Sequence, residues 1–233
     1  MLTRRRLPSP LLAVPAVAAT VLAGVWVAGG VVSDDFRVSM GLTALWFAVS
    51  GGACLLVTRH SRALRVPVVA AYLLTAGAVG AYLGATTLRD DVVHERVITA
   101  APAPAGGPAP RDDASTLSSR PAAGRTEVAR GRFRSHEHET AGAARVIRDT
   151  GGRRYLTLTS FSTSPGPDLR VRLVPGDTSD GGADGAVDLG GLKGNRGDQQ
   201  YAIPRGAELE GRTVVIWCRA FSAPFGSAGL SPA

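Results

Sequence analysis

Cys218 is the first candidate in this chain for a residue whose type could carry redox or ligand chemistry. It lies in the apolar segment VVIWCRAFSAPFG and is the only cysteine in the C-terminal half of the sequence. On a strand, Cys218 shares a uniformly apolar face with Val214, Ile216 and Ala220, which predicts a thiol that points into a core. A buried thiol acts as a small hydrophobic group with a raised pKa and low reactivity. Outside the cell, however, cysteines normally occur in pairs, and an unpaired one is also a candidate redox or ligating group.

A second candidate is the HEHE segment at 136–139. On a strand, His136 and His138 would lie on one face, with Glu137 and Glu139 on the other. Two imidazoles at this spacing can bind one metal ion, but the remaining ligands must come from elsewhere. The alternative is a pair of exposed histidines on a polar edge strand. The pair alone therefore predicts no metal site.

Other motifs of known chemistry are missing from the sequence. It has no HExxH, CxxC or CxxCH, so neither a zinc-protease site nor covalently attached haem is supported. The RGD at 196–198 is expected to be a glycine turn between two strands. The net charge is +7, but the basic residues are dispersed among Asp and Glu or flank apolar segments. Nucleic acid is therefore not a predicted partner.

The first predicted domain of the chain is a membrane domain over 1–90. Three apolar stretches without a charged residue are each near the ~20 residues that a membrane-crossing helix needs. They lie at about 11–32, 41–57 and 66–88. The lipid bilayer is thus a predicted partner, and no span offers a side chain for ion or proton transport. Ala76, Gly80 and Gly84 lie four residues apart and are expected to let the spans pack closely, with Cys54 as a further small packing residue.

Basic residues predict the orientation of the spans. Arg4–Arg6 precede the first span, and Arg59, Arg62 and Arg65 lie between the second and the third. Because basic residues are retained in the cytoplasm, the N-terminus is expected inside and everything after residue 88 outside. A cleaved signal peptide is the alternative for the first span, and it would leave the C-terminal region on the same side.

The rest of the chain divides into a linker and a β domain. Residues 91–130 are rich in Ala and Pro without an apolar period, which predicts an extended extracytoplasmic tether. From 131 to 233, short apolar runs alternate with turn signals. Seven to nine short strands in about a hundred residues predict an all-β domain, an antiparallel β-sandwich or barrel.

Four segments of the β domain resemble the DM13 family, which occurs in bacterial membrane proteins and animal extracellular proteins. They follow one another in order and spacing over about 131–230: GRFRSHEHETAGAARV, LTLTSFSTSPGPDLRVRLV, VDLGGLKGNRGDQQYAIP and VVIWCRAFSAPFGSAGL. The resemblance implies a β-sandwich-like domain with a proposed role in extracytoplasmic electron transfer. The signature cysteine of the family falls on Cys218, and its H-x-T-x-G segment falls on His138, Thr140 and Gly142.

Two functions follow as hypotheses. In the first, a membrane-anchored extracytoplasmic protein transfers electrons through Cys218, with His138 as a second ligand or a base that tunes the thiol. The resemblance allows haem as a non-covalent cofactor, and a redox partner is expected, but neither the cofactor nor the electron donor is specified by the sequence. In the second, the domain is a non-redox module that binds an envelope component or another protein, and Cys218 is structural.

Overall fold

A computed structural model of the chain describes residues 10–33, 35–100 and 124–233. It contains three long helices followed by a domain built of β-strands. The helices are α1 (Pro10–Gly30), α2 (Phe36–His60) and α3 (Arg62–Leu88). All three are long and apolar enough to cross a membrane, which confirms the three predicted apolar helices.

Aromatic side chains against glycines bring the helices together. Trp46 of α2 covers Gly24 of α1, where an added Cβ would lie 1.8 Å from the indole ring. Tyr72 of α3 covers Gly51 of α2, and its hydroxyl donates a hydrogen bond to the carbonyl oxygen of Phe47. Close approach at small residues is a common way for apolar helices to associate. Cys54 packs against a buried cluster that includes Leu64 and Val68, in agreement with a packing role.

The predicted small-residue face of α3 is not where the helices meet. A Cβ added at Gly80 or Gly84 would have nothing within 4 Å among the described residues. The helices also extend beyond the apolar spans. Arg59 and Arg62 are helical, so the loop predicted between the second and third spans is reduced to Ser61. An apolar span read from the sequence ends at its first charged residue. The helix continues past that residue because arginine is a good helix former.

The β domain consists of two sheets. The first has six strands in the order β1-β8-β5-β4-β2-β11, and the second has five in the order β3-β10-β9-β6-β7. Most pairings are antiparallel, which confirms the predicted all-β domain, and neither sheet closes into a barrel, so the barrel alternative of the prediction does not apply. The first sheet comprises β1 (Val92–His94), β2 (Thr126–Arg132), β4 (Ala141–Arg148), β5 (Arg154–Ser162), β8 (Arg196–Ile203) and β11 (Ser231–Pro232). The second comprises β3 (Arg134–Ser135), β6 (Leu169–Pro175), β7 (Val187–Gly191), β9 (Arg212–Cys218) and β10 (Ala223–Gly229).

Alternating apolar residues of the strands build the core of the β domain. The fully buried large side chains include Leu156 and Leu158 on β5, Val171 and Leu173 on β6, and Ile216 on β9. These positions follow the period of two that marked the strands in the sequence, because successive side chains of a strand point to opposite faces. The predicted strand pattern therefore identified the core residues of both sheets.

Strand β1 lies inside the stretch that was expected to be a tether. Val92, Val93 and His94 pair in parallel with β8. Beyond β1, the amide nitrogen of Ile98 donates to Oε1 of Gln200. The strands that precede and follow the Ala/Pro-rich sequence, β1 and β2, therefore belong to the same sheet. Residues 101–123 of the predicted linker lie outside the described residues.

The RGD segment is part of β8 and not a turn between strands. Gly197 pairs with Val93 on one side and with Phe161 on the other. Its φ is +98°, and a Cβ there would lie 2.0 Å from the carbonyl oxygen of Val93. Glycine is required at this position because β1 approaches the backbone too closely for a side chain. A glycine inside a strand was thus mistaken for a turn signal.

Candidate functional site

Cys218 is the last residue of β9, a strand buried on both faces. Thr213 to Cys218 are all buried, and Cys218 is 0% exposed. Trp217, on the face opposite Cys218, packs with Val174 and Val215 in a separate apolar cluster. The inward direction of the thiol agrees with the sequence pattern. The sequence pattern did not predict that the opposite face of β9 is also buried. The loop at Gly181 covers the indole of Trp217 on that face, and a Cβ at Gly181 would lie 2.5 Å from the ring.

Two turns enclose the thiol. Sγ of Cys218 donates a hydrogen bond to the carbonyl oxygen of Pro167 at 3.0 Å. The next residue of the first turn, Asp168, accepts a hydrogen bond from Nε of Arg219 at 2.6 Å, and its carbonyl oxygen accepts one from the Arg219 amide at 3.1 Å. Arg219 is therefore paired with Asp168 and does not supply a cation to the sulfur. The negative charge of Asp168, which acts on the thiol, thus has the wrong sign for stabilising a thiolate.

Burial raises the pKa of the Cys218 thiol to about 12. Backbone N–H groups of Phe221 and Ala220 oppose this shift, and the negative charge of Asp168 adds to it. Removal from water disfavours the charged form, and among the described residues no cation compensates for the loss of hydration. At pH 7 the thiol of Cys218 is therefore almost entirely protonated.

The two histidines of HEHE lie in bends after β3 and not on a strand, so they do not share a strand face. Nε2 of His136 is 2.7 Å from Oγ of Ser227, and burial, helped by Arg134, lowers the pKa of this histidine. The ring of His138 stacks on Phe225 of β10, with centroids 3.9 Å apart. The two imidazoles thus contact different residues. Among the described residues, no group of three or more His, Cys, Asp or Glu side chains is arranged to hold a metal ion.

Thr140, two residues after His138, connects the two sheets. Its Oγ1 is 2.8 Å from Oγ1 of Thr163 and 3.1 Å from the carbonyl oxygen of Phe225. Gly226 lies directly against it, since a Cβ there would be 2.5 Å from the Cβ of Thr140. Gly142 has φ +119° at the bulge between β4 and β5. The H-x-T-x-G segment therefore contains at least two residues with a structural task.

Substitution of Thr140 by valine is expected to destabilise the domain. Valine keeps the shape but removes the hydroxyl, which leaves buried Thr163 without that partner. The loss of a buried hydrogen bond with one partner left behind costs roughly 1–3 kcal/mol. Urea unfolding of the full-length protein would measure it, with Thr157→Val as a buried threonine control. A variant as stable as the wild type would contradict the structural role of Thr140.

The segment LKGNRGDQQY has a function in the fold that sequence reasoning missed. Asn195 receives a hydrogen bond from the Asp91 amide at 2.7 Å and donates to Oδ1 of Asp90 at 2.7 Å. Nζ of Lys193 pairs with Oε1 of Glu95 at 2.6 Å, and Oε2 of Glu95 accepts from the Gln200 amide at 2.9 Å. These contacts hold the chain around β1 against β8. The only available signal was the polar motif itself, because its partners are about a hundred residues earlier.

The comparisons with known proteins assign the β domain to a family. No curated protein and no solved structure matches the chain. The model of the family described as "Electron transfer DM13" matches residues 132–230, which include Cys218, His138, Thr140 and Gly142. This confirms the resemblance seen in the four sequence segments. The C-terminal part of this chain therefore matches the DM13 family over residues 132–230, and three helices that could span a membrane precede it in the sequence.

Proposed function

We propose that this protein is a membrane-anchored extracytoplasmic electron-transfer protein in which Cys218 is the redox group. The observation that carries the proposal is the match of residues 132–230 to a family described by electron transfer, with Cys218 inside the match. His138, which lies inside the same match, is proposed as a second functional residue.

The membrane placement rests on the three apolar helices and on the charges at their ends. Arg59, Arg62 and Arg65 surround the junction between α2 and α3. At the opposite ends, Asp35 caps α2 by accepting a hydrogen bond from the Val38 amide at 2.9 Å. A basic junction on one side and acidic residues on the other favour a cytoplasmic α2–α3 junction and an extracytoplasmic β domain. The basic residues Arg4–Arg6, which support the same orientation, lie outside the described residues.

Cys218 does not fit a haem ligand in this conformation. An axial thiolate ligand needs an open face for the porphyrin, whereas Cys218 is 0% exposed. Its proton is bound to the carbonyl oxygen of Pro167, and burial keeps the thiol protonated. Redox chemistry at this sulfur therefore requires the segments at 165–169 and 218–223 to move, so that a second thiol, supplied by a partner, can reach it. Joining the two sulfurs as a disulfide would release two electrons to an electron acceptor together with two protons. In the proposed function, the redox group is therefore the buried thiol of Cys218 itself, without a bound haem.

The burial of Cys218 favours a second candidate function. In that case the β domain binds an envelope component or another protein, and the thiol only fills the core. The fully buried sulfur, its hydrogen bond to Pro167 and its raised pKa are all compatible with this structural role. The two functions differ in what the sulfur does, so one substitution can separate them.

Replacement of Cys218 by alanine is expected to abolish the redox response of the purified full-length protein. Protein-film voltammetry would be recorded for the wild type and the variant, and visible absorption spectra before and after dithionite would test for a chromophore, which the sheltered thiol does not require. Cys54→Ser is the matched control, because it removes the other thiol and leaves Cys218 in place. A wild-type response that is lost in Cys218→Ala and kept in Cys54→Ser supports electron transfer through Cys218.

The opposite outcome would favour the structural role. In that outcome wild type and Cys218→Ala give the same voltammogram and spectrum, and the variant only loses the roughly 1–3 kcal/mol of a small core truncation. Cys218→Ser distinguishes loss of folding from loss of chemistry, because it retains the size of the side chain but not the sulfur. A folded serine variant without a redox response would support the proposal even if the alanine variant unfolds.

A further inference from the structure

A cavity at one end of the first sheet has a strongly basic lining. Its volume is about 300 Å³, and Arg153, Arg154 and Arg205 line it together with Tyr155. The cavity lies where β5 begins and β8 ends, since Arg154 pairs with Ile203 and Tyr155 with Ala202. Neither the DM13 description nor the proposed redox site accounts for three arginines at this place.

Two short turns fix the walls of this cavity. In the first, the Gly152 amide donates to the carbonyl oxygen of Asp149 at 3.0 Å, and Gly152 has φ +75°. In the second, the Ala207 amide donates to the carbonyl oxygen of Pro204 at 3.2 Å, and Gly206 has φ +84°. Glycine supplies the positive φ that such turns require. Arg153 and Arg205 are therefore held by hydrogen-bonded turns, and Arg154 by the first position of β5, at the end of two inner strands of the sheet.

The positive charge of the cavity is only partly compensated. Nε of Arg153 pairs with Oδ2 of Asp149 at 3.2 Å. Nη2 of Arg154 donates to the neutral carbonyl oxygen of Pro204 at 3.3 Å, which leaves its charge unbalanced. Within the part of the chain that the structure describes, no carboxylate forms a salt bridge with Arg154 or Arg205. Two formal positive charges therefore remain at the cavity.

A fourth arginine, Arg148, lies beside the arginines that line the cavity. Arg148 of β4 lies directly opposite Arg154 of β5 in the antiparallel pairing. Like charges in directly opposed positions destabilise a sheet. A bound anion would relieve this repulsion, and an unliganded domain gains nothing from the arrangement.

A second basic cavity of the β domain does not share this property. It has a volume of about 360 Å³ and is lined by Arg132, Arg134 and Arg212. Asp177 also lines it and forms a salt bridge with Arg134 at 2.9 Å. Nη1 of Arg212 is bound to the carbonyl oxygen of Gly185 at 2.8 Å. A carboxylate of the protein thus already occupies the position that an anion would take.

We propose that the cavity at Arg153, Arg154 and Arg205 binds a phosphate group. The planar guanidinium forms paired hydrogen bonds to the oxygens of a phosphate, and the hydroxyl of Tyr155 can donate another. The volume is at the lower limit of small-molecule sites, which suits a phosphate with a small substituent. Inorganic phosphate and the headgroup of an anionic phospholipid share this chemistry.

Thermal unfolding of the full-length protein in detergent tests the site. Inorganic phosphate is expected to raise the Tm more than sodium chloride at equal ionic strength, because a ligand of the folded state stabilises it by mass action. Arg154→Gln and Arg205→Gln are each expected to weaken phosphate binding at least about tenfold, as measured by calorimetry, since each removes a charge-assisted pair of hydrogen bonds. Arg145→Gln is the matched control, because Arg145 lies on β4 and is paired with Glu127 at 3.2 Å.

The source of the phosphate is distinguished by reconstitution into phosphatidylglycerol and phosphatidylcholine bilayers. If headgroups fill the site, inorganic phosphate raises the Tm in phosphatidylcholine but no longer in phosphatidylglycerol. If free phosphate is the ligand, the shift is the same in both lipids. Equal effects of phosphate and chloride in detergent, or equal phosphate affinities of Arg154→Gln, Arg205→Gln and Arg145→Gln, would overturn the proposal.

Discussion

Alkylation of Cys218 in the folded protein is expected to be at least about a thousandfold slower than in the unfolded chain at neutral pH. Burial raises the pKa of this thiol from the ordinary 9.0 to about 12, and those three pH units lower the thiolate fraction a thousandfold. The complete burial of the side chain slows the reaction further. Rates with iodoacetamide would be measured on Cys54→Ser, which leaves Cys218 as the only thiol.

The pH dependence checks the cause of this protection. Because the thiolate is the reactive species, the rate should rise about tenfold per pH unit, and for the native protein this rise should continue beyond pH 9. In guanidinium the same variant should reach its plateau near the ordinary pKa. Equal rates in the folded and unfolded states at neutral pH would show that the thiol is open, and the sheltered site would then be wrong.

Substitution of Gly197 by alanine is expected to release β1 from β8. The new Cβ would lie 2.0 Å from the carbonyl oxygen of Val93, so the strand must move away. The positive φ of +98° adds roughly 1–3 kcal/mol of backbone strain for a residue with a side chain. Hydrogen exchange would detect the change as lost protection at the amides of Glu95 and Arg196, which are bonded across this edge.

Gly190→Ala is the matched control for this substitution. Gly190 also has a positive φ, +122°, but a Cβ there would have nothing within 4 Å among the described residues. It should lose stability through backbone strain alone and keep the protection of β1. If the amides of Glu95 and Arg196 are equally protected from hydrogen exchange in both variants, the close contact at Gly197 is not what makes glycine necessary.

Features with a local physical cause were predictable from the sequence. Apolar length alone located the three helices, and period-two alternation located β5 and β6. The inward direction of Cys218 followed from its neighbours Val214 and Ile216. The DM13 assignment depended on the order and spacing of four segments, and the family match confirmed it.

Features that depend on distant partners were not predictable in this way. The segment Val92–His94 is too short to show a period of two in the sequence. It forms a strand because it pairs with the edge of β8. In the sequence, Gly197 cannot be distinguished from a turn glycine. Only the close approach of Val93 in the folded domain explains why glycine is needed there. The bends at His136 and His138 follow from contacts with β10, since the His136 amide donates to the carbonyl oxygen of Phe225 and the ring of His138 stacks on the Phe225 ring. No local pattern reveals these contacts.

The addition of β1 to the first sheet has a consequence for fragments of this protein. The family match begins at residue 132, within β2, and so excludes β1 altogether. A soluble fragment cut at that boundary would present the unpaired N–H and C=O groups of β8 as a free edge. Exposed edges recruit other extended chains and promote aggregation. We therefore expect a fragment that starts at Asp90 to remain monomeric where one that starts at Arg132 self-associates.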